Sequence, residues 1–137
     1  MRRVSAPVLL VASVLVLAFA SSAYASHTAA IHAESGTLGP GGSVSVSGTI
    51  ECTAGYFWSV GLTLRQKSGK TFNTGGSNLG GTCSTTGPET WTTPLFFGQG
   101  PFKSGHAVVE SGVFTCDPEA CIDQAINSEI TEVRIHK

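Results

Sequence analysis

The residues of this chain whose types and spacing could support chemistry are four cysteines, a few acidic side chains and several aromatic rings. An even number of cysteines in an exported chain favours disulfides, and four cysteines allow three pairings. We predict Cys52–Cys83 with Cys116–Cys121, because the second pair closes a small ring over a turn that contains Pro118. A thiolate metal site is not expected, since the spacing is not C-x-x-C and no histidine flanks either pair.

The acidic and histidine residues give no pattern of a catalytic or metal site. Asp117, Glu119 and Asp123 could offer oxygens to calcium, but their spacing matches no ordered calcium loop, so we interpret them as a solvated acidic turn. The chain has no G-x-S-x-G, H-E-x-x-H or phosphate-binding glycine motif, which argues against an enzyme and against a cofactor. The histidines are scattered, and we interpret them as exposed or strand-face residues: His27, His32, His106 and His136.

The aromatic residues are the most informative candidates for binding. A strand cannot point all of the consecutive Tyr56, Phe57 and Trp58 into one core, and the pair Phe96 and Phe97 presents the same difficulty. One interpretation is that the tryptophans are core residues and a loop covers the outward phenylalanine. The other is an exposed aromatic platform for a protein, a glycan or a small apolar ligand. The candidate binding residues are Phe57, Trp58, Phe96 and Phe97.

The segment from Met1 to Ala25 has the pattern of a secretory signal peptide. Arg2 and Arg3 precede an uncharged run, and its apolar centre at 8–20 is well short of the roughly 20 residues needed to span a bilayer. Small residues at Ala23 and Ala25 predict cleavage after Ala25. We therefore expect a signal peptide at 1–25 and a single domain at 26–137 that is secreted, extracellular or associated with the cell wall, without a membrane span after processing.

The composition of the mature segment restricts its partners. After cleavage, six Lys and Arg remain against nine Asp and Glu, spread along the whole of 26–137. With no basic stripe in the sequence, neither nucleic acid nor an anionic membrane is expected as a partner.

Alternation with a period of two residues, interrupted by glycine, predicts short strands throughout the mature segment. In residues 44–52 the even-numbered positions, including Val44, Val46 and Ile50, are expected to face the core. Residues 56–65 and 107–114 also alternate, with Val109 among the odd-numbered residues that share one face of the second segment. Weaker predictions are a short edge strand at 71–74, a flexible glycine-rich segment at 75–81 and a strand at 89–97, in which Pro94 requires an edge or a bulge. The last strand is expected at 128–136 with a bulge after Ile130, and 119–127 could hold one helical turn.

Together these patterns predict an all-β fold, an immunoglobulin-like antiparallel β-sandwich of seven to eight strands with two disulfides. A closed barrel is the alternative. The segments 44–53, 89–92 and 100–105, with Cys116 followed by Cys121, resemble a family of small exported actinobacterial proteins of uncharacterised function.

A weaker resemblance is to the neocarzinostatin-type chromophore-carrier proteins, which are immunoglobulin-like sandwiches in which one disulfide also closes a C-x-x-x-x-C ring. That resemblance implies a small-molecule carrier, although the second bridge in that family spans a short loop and Cys52 lies 31 positions from Cys83. Neither family supplies catalytic residues. The sequence therefore predicts a secreted, non-enzymatic binding or cell-surface interaction module. A small-molecule carrier is the alternative, and a secreted hydrolase is less favoured.

Overall fold

The computed structural model describes residues 29–93 and 97–137, so the predicted signal peptide, His27, Pro94 and Phe96 lie outside the described residues. The described chain is all-β apart from one short 3₁₀ turn at Pro40–Gly42, which confirms the predicted class. It contains no helix that is long and apolar enough to cross a membrane. The eight strands are β1 (Ala30–Leu38), β2 (Val44–Cys52), β3 (Phe57–Ser68), β4 (Thr71–Thr82), β5 (Gly87–Thr92), β6 (Phe97–Gln99), β7 (Gly105–Cys116) and β8 (Gln124–His136).

The strands form one hydrogen-bonded sheet in the order β5-β2-β1-β8-β7-β3-β4-β6. Neighbours are antiparallel except β1 and β8, which run parallel where Ser35 pairs with Arg134 and Thr37 with His136. The sheet is therefore mixed, whereas the sequence predicted an antiparallel arrangement. The difference arises at β1, which pairs antiparallel with β2 along one edge and runs in the same direction as β8 along the other.

The sheet curls so that the inner faces of its two arms enclose one hydrophobic core. One arm is β5-β2-β1 and the other is β8-β7-β3-β4-β6. The period-two pattern predicted for residues 44–52 and 107–114 is confirmed, because Val46 and Ile50 of β2 are buried together with Val109 of β7. Position 48 requires glycine, because β1 and Trp91 approach it closely and a Cβ there would lie 2.6 Å from the Trp91 ring.

Both predicted disulfides are present, with Cα–Cα distances of 6.2 Å for Cys52–Cys83 and 4.8 Å for Cys116–Cys121. The longer bridge joins the residue that ends β2 to the residue that follows β4, so it ties the two arms together. Two disulfides are typical of proteins that fold in an oxidising, extracellular environment.

The prediction of a flexible segment at 75–81 is wrong, because β4 continues through it to Thr82 and pairs with β3 along its whole length. The backbone pairing overrides the low strand propensity of glycine. At Gly81 the absence of a side chain has a packing reason, since a Cβ would lie 3.0 Å from the ring of Trp58.

The single strand predicted at 89–97 is also wrong. β5 ends at Thr92 and pairs with β2, whereas β6 pairs with β4, so the two segments lie on opposite edges of the sheet. Thr93 ends the first segment by side-chain bonding, because its hydroxyl accepts a hydrogen bond from the backbone N–H of Val46 at 2.9 Å.

Within the described residues, neither the helical turn predicted at 119–127 nor the bulge predicted after Ile130 is present. The carboxylate of Asp117 accepts the backbone N–H of Asp123 at 2.7 Å, which reverses the chain around the small ring, and β8 begins directly afterwards at Gln124. Its pairing with β7 is then continuous from Gln124 to Ile135, so Ile130 lies on the opposite face from Ile135. A bulge lies instead in β1, between Ala33 and Ser35.

A buried glutamine fixes the loop at the other end of β3. Gln66 continues the inner register of Leu64, and its side-chain amide donates to the backbone carbonyl of Lys103 and accepts the Lys103 N–H, both at 2.8 Å. Asn73 holds the same loop by donating to the carbonyl of Pro101 at 2.7 Å. These bonds satisfy the buried amide and position the start of β7.

Candidate functional site

The four central strands of the larger arm, in the order β8-β7-β3-β4, expose one continuous surface, which we call the outer face. The pairings align its side chains in rows across the strands, so that Phe114 lies between Ser59 and Ile126, and Glu110 lies between Thr63 and Ile130. Because successive residues of a strand alternate between faces, the residues that lie between the core-facing ones are those that point outward.

The half of the outer face near the small disulfide ring carries no charged side chain and includes large apolar side chains among small and polar ones; we call it the apolar half. Ile126 is 78% exposed there and Phe57 is 49% exposed, while Ile130, which is 74% exposed, borders this half in the row of Glu110. The outward positions of its three rows carry no charged side chain, and they are Phe57, Ser59, Gly61, Asn78, Gly80, Thr82, Gly112, Phe114, Gln124, Ile126 and Ser128.

The row of this half that borders Ile130 is flat on its two inner strands, because Gly61 of β3 and Gly112 of β7 lie directly opposite each other. Neither has a positive φ, and the pairing runs through them without a bulge. A Cβ at Gly112 would approach nothing closer than a backbone oxygen at 3.9 Å. Packing inside the chain therefore does not require glycine at position 112.

The four predicted binding residues are not all brought together. Phe57 points outward into the apolar half, and Trp58 packs against the core. Phe97 is opposite Gly76 on one side of β4, whereas Phe57 is opposite Thr82 on the other side, so their backbones lie about 20 Å apart. Phe96 falls outside the described residues.

Sequence reasoning missed Ile126, Ile130 and Phe72, which are the most exposed large apolar side chains of the outer face. The sequence does contain a signal, because Ile130 is out of phase with Val133 and Ile135, and a bulge is one explanation of such a shift. An apolar residue that alternates in step with the polar residues of a strand can equally be a surface residue. Only the register of strand pairing distinguishes a surface position from a bulge.

The opposite half of the outer face is strongly charged, because the fold gathers basic residues that are distant in sequence. All Lys and Arg of the described chain lie where β3 and β8 end, which we call the basic end: Arg65, Lys67, Lys70, Lys103, Arg134 and Lys137. The end that carries the small ring holds five acidic residues instead, which are Glu51, Glu89, Asp117, Glu119 and Asp123. The described molecule therefore has a marked charge asymmetry along its strands.

Two of the acidic residues at the ring end, Asp117 and Glu89, accept hydrogen bonds within turns. A hydrogen bond from the backbone of Asp123 lowers the pKa of Asp117, and further backbone N–H groups of the same turn act in the same direction. The hydroxyl of Ser84, 2.6 Å away, lowers the pKa of Glu89 together with the backbone N–H of Thr85. Both carboxylates are thus held in their ionised form by local donors.

No group of three or more His, Cys, Asp or Glu within residues 29–93 and 97–137 is placed to hold a metal ion. Two of the histidines contact carboxylates instead: a ring nitrogen of His32 lies 2.9 Å from Glu129, and one of His106 lies 2.6 Å from Glu132. What the arrangement offers chemically is contact surface, apolar at one end and basic at the other.

Comparison with known proteins adds no family to this description. No protein-family model matches the chain, and no curated protein matches it in sequence.

Proposed function

We propose that this protein is a secreted, non-enzymatic binding module that contacts a protein partner through the apolar half of the outer face and the adjoining Ile130. The observation that carries the proposal is the exposure of Ile126, Ile130 and Phe57 on one surface that is largely uncharged. Exposed apolar side chains of this size, grouped on one surface, mark interaction sites more often than isolated ones do. Close approach of another chain is one reason for glycine inside a strand, and Gly112 lies on this surface without a bulge.

The size of the surface favours a transient partner. Four strands and three to four rows of side chains cover roughly 400 Å². Two such surfaces would bury about 800 Å² in total, which is at the low end for specific complexes. Because the apolar half is flat, it suits contact with another flat protein surface better than binding of a small ligand in a deep pocket.

The fold we propose for the module is the two-layer, immunoglobulin-like sandwich, in which β1 pairs with a strand of each layer and the two disulfides stabilise the exported domain. The pairing of β1 with both β2 and β8 supports this, as does the single core shared by the two arms. A small-molecule carrier would need a cleft between the layers. The inner side chains of both arms pack against each other in that space, which favours the interaction module over the carrier.

The test measures retention of the disulfide-bonded domain on proteins of the cell envelope and culture medium of the producing organism. We expect Ile126→Thr combined with Ile130→Thr to reduce retention at least tenfold while changing stability little, because both side chains are mostly exposed. Thr90→Ala, on the exposed face of β5, is the control and should bind like the unaltered domain. Equal retention of the double variant, or no saturable retention of any form, would overturn the proposal.

A further inference from the structure

A second site lies at the basic end of the outer face and is not used by the function proposed above. A surface cleft of about 420 Å³ opens there between the start of β4 and the outer positions of β3, β7 and β8. This volume is within the range of small-molecule sites. Its lining consists of Arg65, Lys67, Phe72, His106, Ala107, Val108, Glu110 and Glu132, and we call it the Phe72 cleft.

The cleft combines apolar surface with adjacent cations. Phe72 is 58% exposed and pairs directly across the strands with Lys67. Val108 is partly exposed and pairs in the same way with Arg65. Directly opposite residues of paired strands have Cβ atoms about 5 Å apart, so each apolar side chain has a positive group as its neighbour.

The two carboxylates of the cleft both have other partners, which leaves the ammonium group of Lys67 without one. Arg65 lies 3.5 Å from Glu110, and His106 lies 2.6 Å from Glu132. Lys67 makes no ion pair with any described residue. The surrounding basic end adds further positive charge from Arg134, which pairs in register with His106.

We propose that the Phe72 cleft binds a small amphipathic organic acid, with its carboxylate at Lys67 and its hydrocarbon body across Phe72 and Val108. Charge complementarity selects the anion, because the unpaired ammonium is the group in the cleft that lacks a counter-charge. The apolar side chains select a ligand with a hydrocarbon chain or ring over a fully hydrated anion such as phosphate. This site does not depend on the apolar half, since no residue is shared between the two.

The experiment is a titration of the ¹⁵N-labelled, disulfide-bonded domain with octanoate below its micelle concentration, followed by backbone amide shifts. We expect saturable shifts confined to the amides around Arg65, Phe72 and Val108. Octylammonium, which has the same chain and the opposite charge, is the matched probe and should bind at least fivefold more weakly. Inorganic phosphate should produce no saturable shifts at these amides.

Two variants separate the charge from the apolar contact. Lys67→Gln should weaken octanoate binding about three- to fivefold, the range expected for an exposed ion pair. Phe72→Ser should weaken it about tenfold through loss of apolar contact. Lys70→Gln, in the adjacent turn outside the cleft lining, is the control and should leave the affinity unchanged.

Three results would overturn the proposal. Equal affinity for octanoate and octylammonium would show that Lys67 does not select the ligand. Shifts centred on Ile126 and Ile130 would place the probe on the apolar half instead. The absence of saturable shifts would show that the cleft binds no such acid, and it would leave the protein-binding role of the apolar half untouched.

Discussion

Ile130 and Ile135 lie on opposite faces of β8, so the same substitution at the two positions tests the register of the sheet. Ile130 is 74% exposed, whereas Ile135 is 1% exposed. Threonine keeps the branched Cβ in both cases, so strand propensity changes little. Any large difference between the two variants must therefore come from burial.

The magnitudes follow from the exposed fractions. Complete burial of an isoleucine is worth about 1.5–3 kcal/mol, and Ile130 has lost only about a quarter of its surface, so Ile130→Thr should cost less than about 1 kcal/mol. Ile135→Thr leaves a space in the core and buries a hydroxyl among apolar side chains. These two effects together should cost about 3–4 kcal/mol.

The assay is equilibrium urea unfolding of the disulfide-bonded domain, with the free energy of unfolding compared at a common m-value. Ile126→Thr, also on the outer face, should behave like Ile130→Thr. A loss above about 2 kcal/mol for Ile130→Thr, the scale of a buried side chain, would mean that this residue faces the core and that β8 contains a bulge after all. A loss below about 1 kcal/mol for Ile135→Thr would refute the assigned core.

Replacing both cysteines of one bridge by serine should destabilise the domain by about 3.7 kcal/mol for Cys52–Cys83 and about 2 kcal/mol for Cys116–Cys121. The difference arises because the unfolded chain gains more entropy when the longer loop is opened. Thermal melts of both variants would check this order, and a larger loss of stability for the small ring would contradict it. The second prediction concerns pH. Because the pKa of Glu89 is lowered in the folded state, its contribution to stability is present above its ordinary value of 4.5 and is lost as the pH falls through the folded value. Glu89→Gln should therefore be less stable than the unaltered domain at pH 7 and should converge with it in acid, while Glu119→Gln serves as the control; a constant difference from pH 7 to strongly acid solution would refute the role of the carboxylate.

The local patterns that could be read from the sequence are those that depend on neighbouring residues. Alternation placed Val44, Val46 and Ile50 in the core correctly, because a strand sends successive side chains to opposite faces. The short spacing of Cys116 and Cys121 identified the small ring and, by elimination, the longer bridge. Both results follow from chain geometry alone.

Strand pairing could not be read in this way, because it is decided by which distant segment supplies hydrogen bonds. Glycine-rich residues 75–81 have weak strand propensity, yet β3 supplies a complete partner for them. Residues 87–92 and 97–99 are close in sequence, yet they join opposite edges of the sheet.

The candidate sites show the same division. The sequence determined that Phe57 alternates with Trp58, and therefore that one of two adjacent aromatic rings must face outward. Only the continuous register of β7 and β8 placed Ile126 and Ile130 on the same face of the sheet as Phe57. Likewise, basic residues spread from Arg65 to Lys137 gave no charged stripe in the sequence, and the tertiary structure gathers them at one end because strands of alternating direction return to the same edge of the molecule.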